Sequence, residues 1–303
     1  MMNVVLRALA VIGSVRAFGV VPGGLRRESL SMSCIEEFSI SREIKNVRVF
    51  DGDFGLEICE AVQSVGASAI AQKGSFSLAI PGGSVVRALA GLDSEVLDGK
   101  KTHIFFANEK LKNYECYEGA IASFVEAKGI PLENVHKVSE EATLEETAKK
   151  YGELLKTHPS VDNNGPLPSL DMVLLGTGED GHCGNLFPDS AEIKRTGLGD
   201  VVLPVPDATA VAMSMDLFCA AKVALLSAAG SQRAEMVAKA LSGNYGDWDC
   251  PAGMVRFYSF YFFSFYSQVD AADETIWFCD EDSIADFNEM QDEEEDDYDD
   301  EDD

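Results

Sequence analysis

Apolar residues in this chain gather into short runs of strand length: FSLAI (76–80), HIFFA (103–107), DMVLL (171–175), VVLPV (201–205), VALLSA (223–228) and TIWFC (275–279). They do not alternate with polar residues, the pattern of strands covered on both faces. Between them apolar positions recur at helical spacing over residues 54–72, 84–92, 116–128, 144–156 and 231–241. Strand–helix alternation predicts an α/β fold with a mostly parallel sheet, right-handed crossovers and helices on both faces. In such sheets the chemistry sits at the carboxyl ends of the strands. No internal repeat or shift in composition interrupts residues 35 to 290, and 303 residues fit a single large domain.

One stretch breaks the pattern. FYSFYFFSFYS (257–267) has eight aromatics in eleven residues and no charge. On a surface it would be an aggregation hazard. It predicts either an extra core strand or sequence foreign to the protein, such as a retained intron.

The formal charge is −28, and eleven of the carboxylates lie in the last thirteen residues, QDEEEDDYDDEDD. Residues 291–303 therefore predict a disordered acidic tail, with a basic protein as the partner that would suit it. The remaining 290 residues still carry about −17. That field repels phosphate backbones, so nucleic acid is not an expected partner, and an anionic substrate would need a local cationic pocket. Seven scattered cysteines without a C-x-x-C pair signal neither a disulfide framework nor a cysteine zinc site, and they fit a reducing compartment.

Residues 1–34 hold four arginines and a single acid, Glu28. The apolar run from Ala8 to Val15 is too short to span a bilayer, so no stable membrane association is expected. It resembles a signal-peptide core with small residues at Val15-Arg16-Ala17, followed from Phe18 by an acid-poor segment like a transit peptide. The tandem predicts the bipartite presequence of a complex plastid. The alternative is an extension without targeting function on a cytoplasmic protein.

Four stretches carry chemistry, each after a predicted strand. IPGGSVVRAL (80–89) opens a helix with Gly82 and Gly83, whose N–H groups can face an anion. Ser84 offers a hydroxyl and a helix N-cap, and Arg87 follows one turn later. FFANEK (105–110) places Asn108, Glu109 and Lys110 at a strand end. LLGTGEDGHCGNLFP (174–188) sets Asp180 two residues from His182 in a glycine-rich loop. The carboxylate can orient the imidazole, and a neutral imidazole can take a proton from water. AAGSQRAEM (228–236) puts Arg233 at a helix start, where it could bind phosphate.

In this order the motifs resemble those of the 6-phosphogluconolactonase family, in the superfamily that also holds glucosamine-6-phosphate isomerases. The similarity runs over residues 46–256 and resumes at 274–283. It implies a single-domain, modified Rossmann-like sheet of the NagB type, spanning 35–290. It also implies hydrolysis of 6-phospho-D-glucono-1,5-lactone to 6-phosphogluconate in the oxidative pentose phosphate pathway, with no metal or organic cofactor. By the same resemblance His182 is the base that activates water and Asp180 supports it. Gly82, Gly83, Ser84, Arg87 and Arg233 match phosphate-binding positions, and Glu109 and Lys110 match a pair that shapes the site. Lys110 stands where Arg is commoner, and Cys183-Gly184-Asn185 replaces a small Thr-Ala-Ser type run. The alternatives are an isomerase/deaminase of the same superfamily and a non-catalytic phosphosugar-binding protein. The first carries F-N-E-P where this chain has Leu186-Phe187-Pro188. Intact Asp180 and His182 argue against the second.

Overall fold

The computed structural model describes residues 5–7, 34–40, 45–255 and 274–299. The chain runs through β1 (Val5–Arg7), β2 (Cys34–Ile40), β3 (Lys45–Phe50), α1 (Gly55–Lys73), β4 (Phe76–Ile80) and α2 (Ser84–Ala88). It continues through β5 (Thr102–Phe106), β6 (Asn108–Lys110), α3 (Glu115–Ala120), α4 (Leu144–Thr157) and β7 (Met172–Gly176). Then come β8 (Val202–Val205), β9 (Ala210–Met213), α5 (Met215–Cys219), β10 (Val223–Ala228) and α6 (Ala234–Ser242). The last elements are α7 (Pro251–Met254), β11 (Glu274–Asp280) and α8 (Glu281–Asp299).

Eight strands form one sheet in the order β1-β2-β3-β11-β10-β7-β4-β5. The pairings from β3 to β5 are parallel, and β1 and β2 add antiparallel to the outer edge. The sheet has a buried layer on each face, which explains the unbroken apolar runs. In β7, Val173 and Leu175 enter one core while Met172 and Leu174 enter the other. In β11, Trp277 and Cys279 divide from Ile276 and Phe278 in the same way.

VVLPV, expected in the main sheet, instead forms β8 of a separate antiparallel sheet, β6-β9-β8. Its residues alternate between half-buried and buried, so only one face is covered. Pro204 lacks the N–H a central strand would need, which suits an edge. The helix expected over 116–128 ends as α-helix at Ala120 and continues as a π-helical turn over Ile121–Val125. That expected over 84–92 is α-helical only to Ala88. Two further elements lie toward the termini. β1 lies inside the segment expected to be a presequence and satisfies backbone groups at the edge of β2. α8 runs to Asp299, well into the acidic stretch expected to be disordered. The aromatic stretch 257–267 lies outside the described residues.

Two interactions fix the frame that presents the strand ends. Asp171, only 1% exposed, accepts hydrogen bonds from the Ser77 N–H at 2.8 Å and the Ser77 hydroxyl at 2.9 Å. It also pairs with Lys73 at 2.8 Å and Lys222 at 3.1 Å. One carboxylate thus ties α1, β4 and β7 to the approach of β10. Removing one partner of a buried pair typically costs about 3–5 kcal/mol, less where the lysines reach solvent, as both do here. At the other edge, the Phe106 N–H of β5 donates to the buried Tyr151 hydroxyl of α4 at 2.7 Å. That contact occupies part of an edge strand's free backbone.

Candidate active site

Adjacent strands β4, β7 and β10 end side by side, and their loops carry three of the four motifs. The loop after β7 is compact. Gly178 N–H donates to the His182 carbonyl at 2.8 Å, and Gly181 N–H to the Gly178 carbonyl at 3.1 Å. Asp180 Oδ1 accepts from the His182 backbone N–H at 3.1 Å and lies 2.6 Å from His182 Nδ1. An ionised carboxylate can only accept, so the proton of this bond sits on Nδ1. In the neutral ring Nε2 then carries the lone pair. Burial alone would raise the Asp180 carboxyl; the His182 N–H, the imidazole bond and its charge outweigh this and hold it below the usual carboxylate range.

Gly178 is required by this contact. A Cβ there would lie 2.1 Å from His182 Nδ1 and 2.6 Å from Asp180 Oδ1, inside any real contact distance. Gly184, with φ 55°, is similarly confined: a Cβ would meet Phe218 Cζ at 2.5 Å. The loop is also braced from outside, since Ala252 N–H of α7 donates to the Gly181 carbonyl at 2.8 Å. Phe187 packs against the imidazole with ring centroids 4.6 Å apart and the planes tilted by 37°.

The neighbouring loops join this one through specific contacts. Arg233 Nε donates to the Thr177 carbonyl and Nη1 to the Ala229 carbonyl, both at 2.8 Å. Arg233 therefore straps the loops after β7 and β10 together, and neither bond uses Nη2. Position 176, at the end of β7, packs on Val85 of α2, where a Cβ would find Cγ2 at 3.7 Å. Gly82 approaches Cys116, whose Sγ would be 3.2 Å from a Cβ, and Asn108 Nδ2 lies 3.8 Å from the same sulfur.

Three sequence expectations change in detail. Ser84 is not the N-cap: Gly83 holds that position with φ 79° and no side-chain cap bond, and Ser84 is the first, exposed residue of α2. Glu109, placed by the resemblance in a pair that shapes the site, is fully buried and caps α3. Its carboxylate accepts N–H bonds from Cys116 at 3.0 Å, Tyr117 at 2.8 Å and Lys110 at 3.1 Å. Burial pushes its pKa up against those three bonds. Lys110 is ion-paired to Glu115 at 3.2 Å. Arg87 is exposed and, among the described residues, its side chain makes no hydrogen bond or ion pair.

Sequence reasoning passed over two residues in the same loop. Phe187 packs against the imidazole. Asn185 sits in left-handed backbone at φ 62°, and its buried Nδ2 has no partner among the described residues. The signal for Asn185 was its place beside a glycine in the motif, where it had counted only as a departure from a resemblance.

Residues 53–260 match the family model described as glucosamine-6-phosphate isomerases/6-phosphogluconolactonase, and the chain belongs to that family. It is 27% identical over 258 residues to 6-phosphogluconolactonase 3, chloroplastic, of Arabidopsis thaliana, covering 78% of this chain and 74% of the relative. It is 29% identical over 203 residues to a 6-phosphogluconolactonase of Streptomyces coelicolor, covering 61% of this chain and 77% of the relative. The solved 6-phosphogluconolactonase from Thermotoga maritima superposes with a TM-score of 0.60 at 17% identity, over 78% of this chain and 100% of that one.

The space argument at position 178 has a direct check. In a crystal structure of Gly178→Ala the separation between Asp180 Oδ1 and His182 Nδ1 should exceed 3.5 Å, with thermal stability lowered by about 1–3 kcal/mol, the range for overpacking. A pair still 2.6 Å apart in the variant would show that glycine is dispensable.

Proposed function

We propose that the chain hydrolyses 6-phospho-D-glucono-1,5-lactone to 6-phosphogluconate, with His182 as the general base. The observation that carries this is the 2.6 Å contact between Asp180 and His182 Nδ1, in a loop at the carboxyl end of a central strand. Nε2 takes a proton from a water that attacks the lactone carbonyl carbon. Asp180 keeps the ring in the required tautomer and stabilises the imidazolium that forms. Collapse of the tetrahedral intermediate breaks the bond to the ring oxygen, which takes the proton held on His182 Nε2, restoring the neutral base and leaving the carboxylic acid. Asn185 Nδ2 and the loop's N–H groups are the donors available to the developing oxyanion.

Arg233, Arg87 and the N–H groups of Gly82 and Gly83 supply positive potential for the phosphate, with the Ser84 hydroxyl beside them. Such an anchor, remote from the reacting carbon, orients the lactone for attack. It also gives an anion a local foothold on an acidic protein. Glu109 acts indirectly, by fixing the start of α3 behind Gly82.

The test is stopped-flow hydrolysis of lactone generated by glucose-6-phosphate dehydrogenase. The wild-type chain should accelerate the reaction well above its spontaneous rate. His182→Ala should lose roughly 10²–10⁴-fold, the usual contribution of a positioned base. A variant of undiminished rate would remove His182 from the mechanism.

Residues 1–34 are proposed as a plastid presequence. Support comes from their arginine-rich, acid-poor composition and from the chloroplastic designation of the Arabidopsis relative. Among the described residues no helix is long and apolar enough to cross a membrane. Residues 1–40 fused to a fluorescent reporter should direct it to plastids; a signal confined to the cytosol would contradict the assignment.

A further inference from the structure

Three of the chain's four histidines, His103, His136 and His158, meet at the β5 edge of the main sheet. Each is fixed by strand pairing or a backbone hydrogen bond. His103 is the second residue of β5. His136 follows the bridge between Ile104 and Val135, and its N–H donates to the Ile104 carbonyl at 2.9 Å. His158 caps the C-terminus of α4, its N–H donating to the Leu154 carbonyl at 2.9 Å. One ring nitrogen from each lies within 4.8 Å of the other two, and His103 Nδ1 is 3.2 Å from His136 Nε2. All three rings are half-buried.

We infer that His103, His136 and His158 form a binding site for a borderline transition-metal ion such as Zn²⁺. A tetrahedral zinc with bonds of about 2.0–2.1 Å sets its ligand nitrogens about 3.3 Å apart. The His103–His136 pair already has that spacing, and rotation of the third ring closes the set. The side-chain frame suits a ligand cage. Phe105 stacks on His136 with centroids 4.5 Å apart and fixes that ring's plane. His158 Nδ1 accepts the Ser160 N–H at 3.2 Å and lies 2.8 Å from the Ser160 hydroxyl, so that edge of the ring is held by its own turn and Nε2 is the nitrogen left to turn toward a metal.

The ligand set decides which ion. Three imidazoles without a carboxylate favour Zn²⁺, Cu²⁺ or Ni²⁺ over Mg²⁺ or Ca²⁺. Lys73 acts against any cation here, but its ammonium is engaged by Asp171 at 2.8 Å. The site is separate from the proposed chemistry. His103 lies five residues before Asn108, roughly 15 Å along the chain toward the opposite end of the sheet. A metal there would clip the end of α4 and the segment at His136 onto an edge strand, a stabilising role independent of lactone hydrolysis.

The test is zinc titration of the chelator-stripped full chain, by competition with a chromophoric chelator. Wild type should bind one Zn²⁺ with roughly micromolar affinity or tighter. His136→Ala and His158→Gln should each weaken this at least about tenfold, and His182→Ala should not. Unchanged affinity in His136→Ala and His158→Gln, or loss only in His182→Ala, would overturn the assignment. Side-chain NMR of wild type with nitrogen-labelled histidine needs no variant. Zinc should shift three of the four imidazoles to a fixed, metal-bound tautomer and leave the fourth unchanged. Shifts at His182 alone, or at none, would refute the site.

Discussion

The candidate site depends on one close approach, the imidazole of His182 and the carboxylate of Asp180 packed over an α-carbon that carries no side chain. Gly178 leaves the space, Gly181 turns the chain at φ 87°, and two short backbone bonds close the loop on itself. The proton on Nδ1 follows from the carboxylate's inability to donate, and Nε2 is thereby left as the base. The local chemistry is thus a consequence of where side-chain volume is missing.

The surrounding fold supplies orientation. Parallel strands bring the loops after β4, β7 and β10 to one end, and Arg233 straps two of them through backbone carbonyls. Asp171 holds the same strands from beneath, near their amino ends, by joining Ser77, Lys73 and Lys222. Glu109 is a carboxylate used for construction, since three backbone N–H groups occupy it. A cationic foothold on an acidic chain therefore rests on few residues, with Arg233 performing both a structural and an electrostatic task.

Much of this could be read along the chain because its causes are local. Apolar runs without alternation marked the central strands, and glycines flanking Asp180 and His182 marked a loop that had to turn sharply. What escaped depended on distant partners. That Glu109 caps a helix depends on where α3 begins, at Glu115. Ser84 was a plausible cap by type, yet Gly83 took the position through its left-handed backbone. VVLPV looked like a central strand until its one-sided burial and Pro204 placed it at an edge. The histidine cluster was beyond sequence spacing, because β5, a bridge and a helix end converge from positions 103, 136 and 158.

The most direct test of the central claim is the steady-state kinetics of Asp180→Asn on the lactone. An amide can present its N–H to Nδ1 and favour the tautomer in which Nε2 carries the proton. If Asp180 sets the base, kcat should fall by about 10²-fold or more while KM changes little, as when the carboxylate of a catalytic triad is replaced. A kcat within about twofold of wild type, with the variant folded, would contradict the account, because that tautomer leaves no lone pair on Nε2.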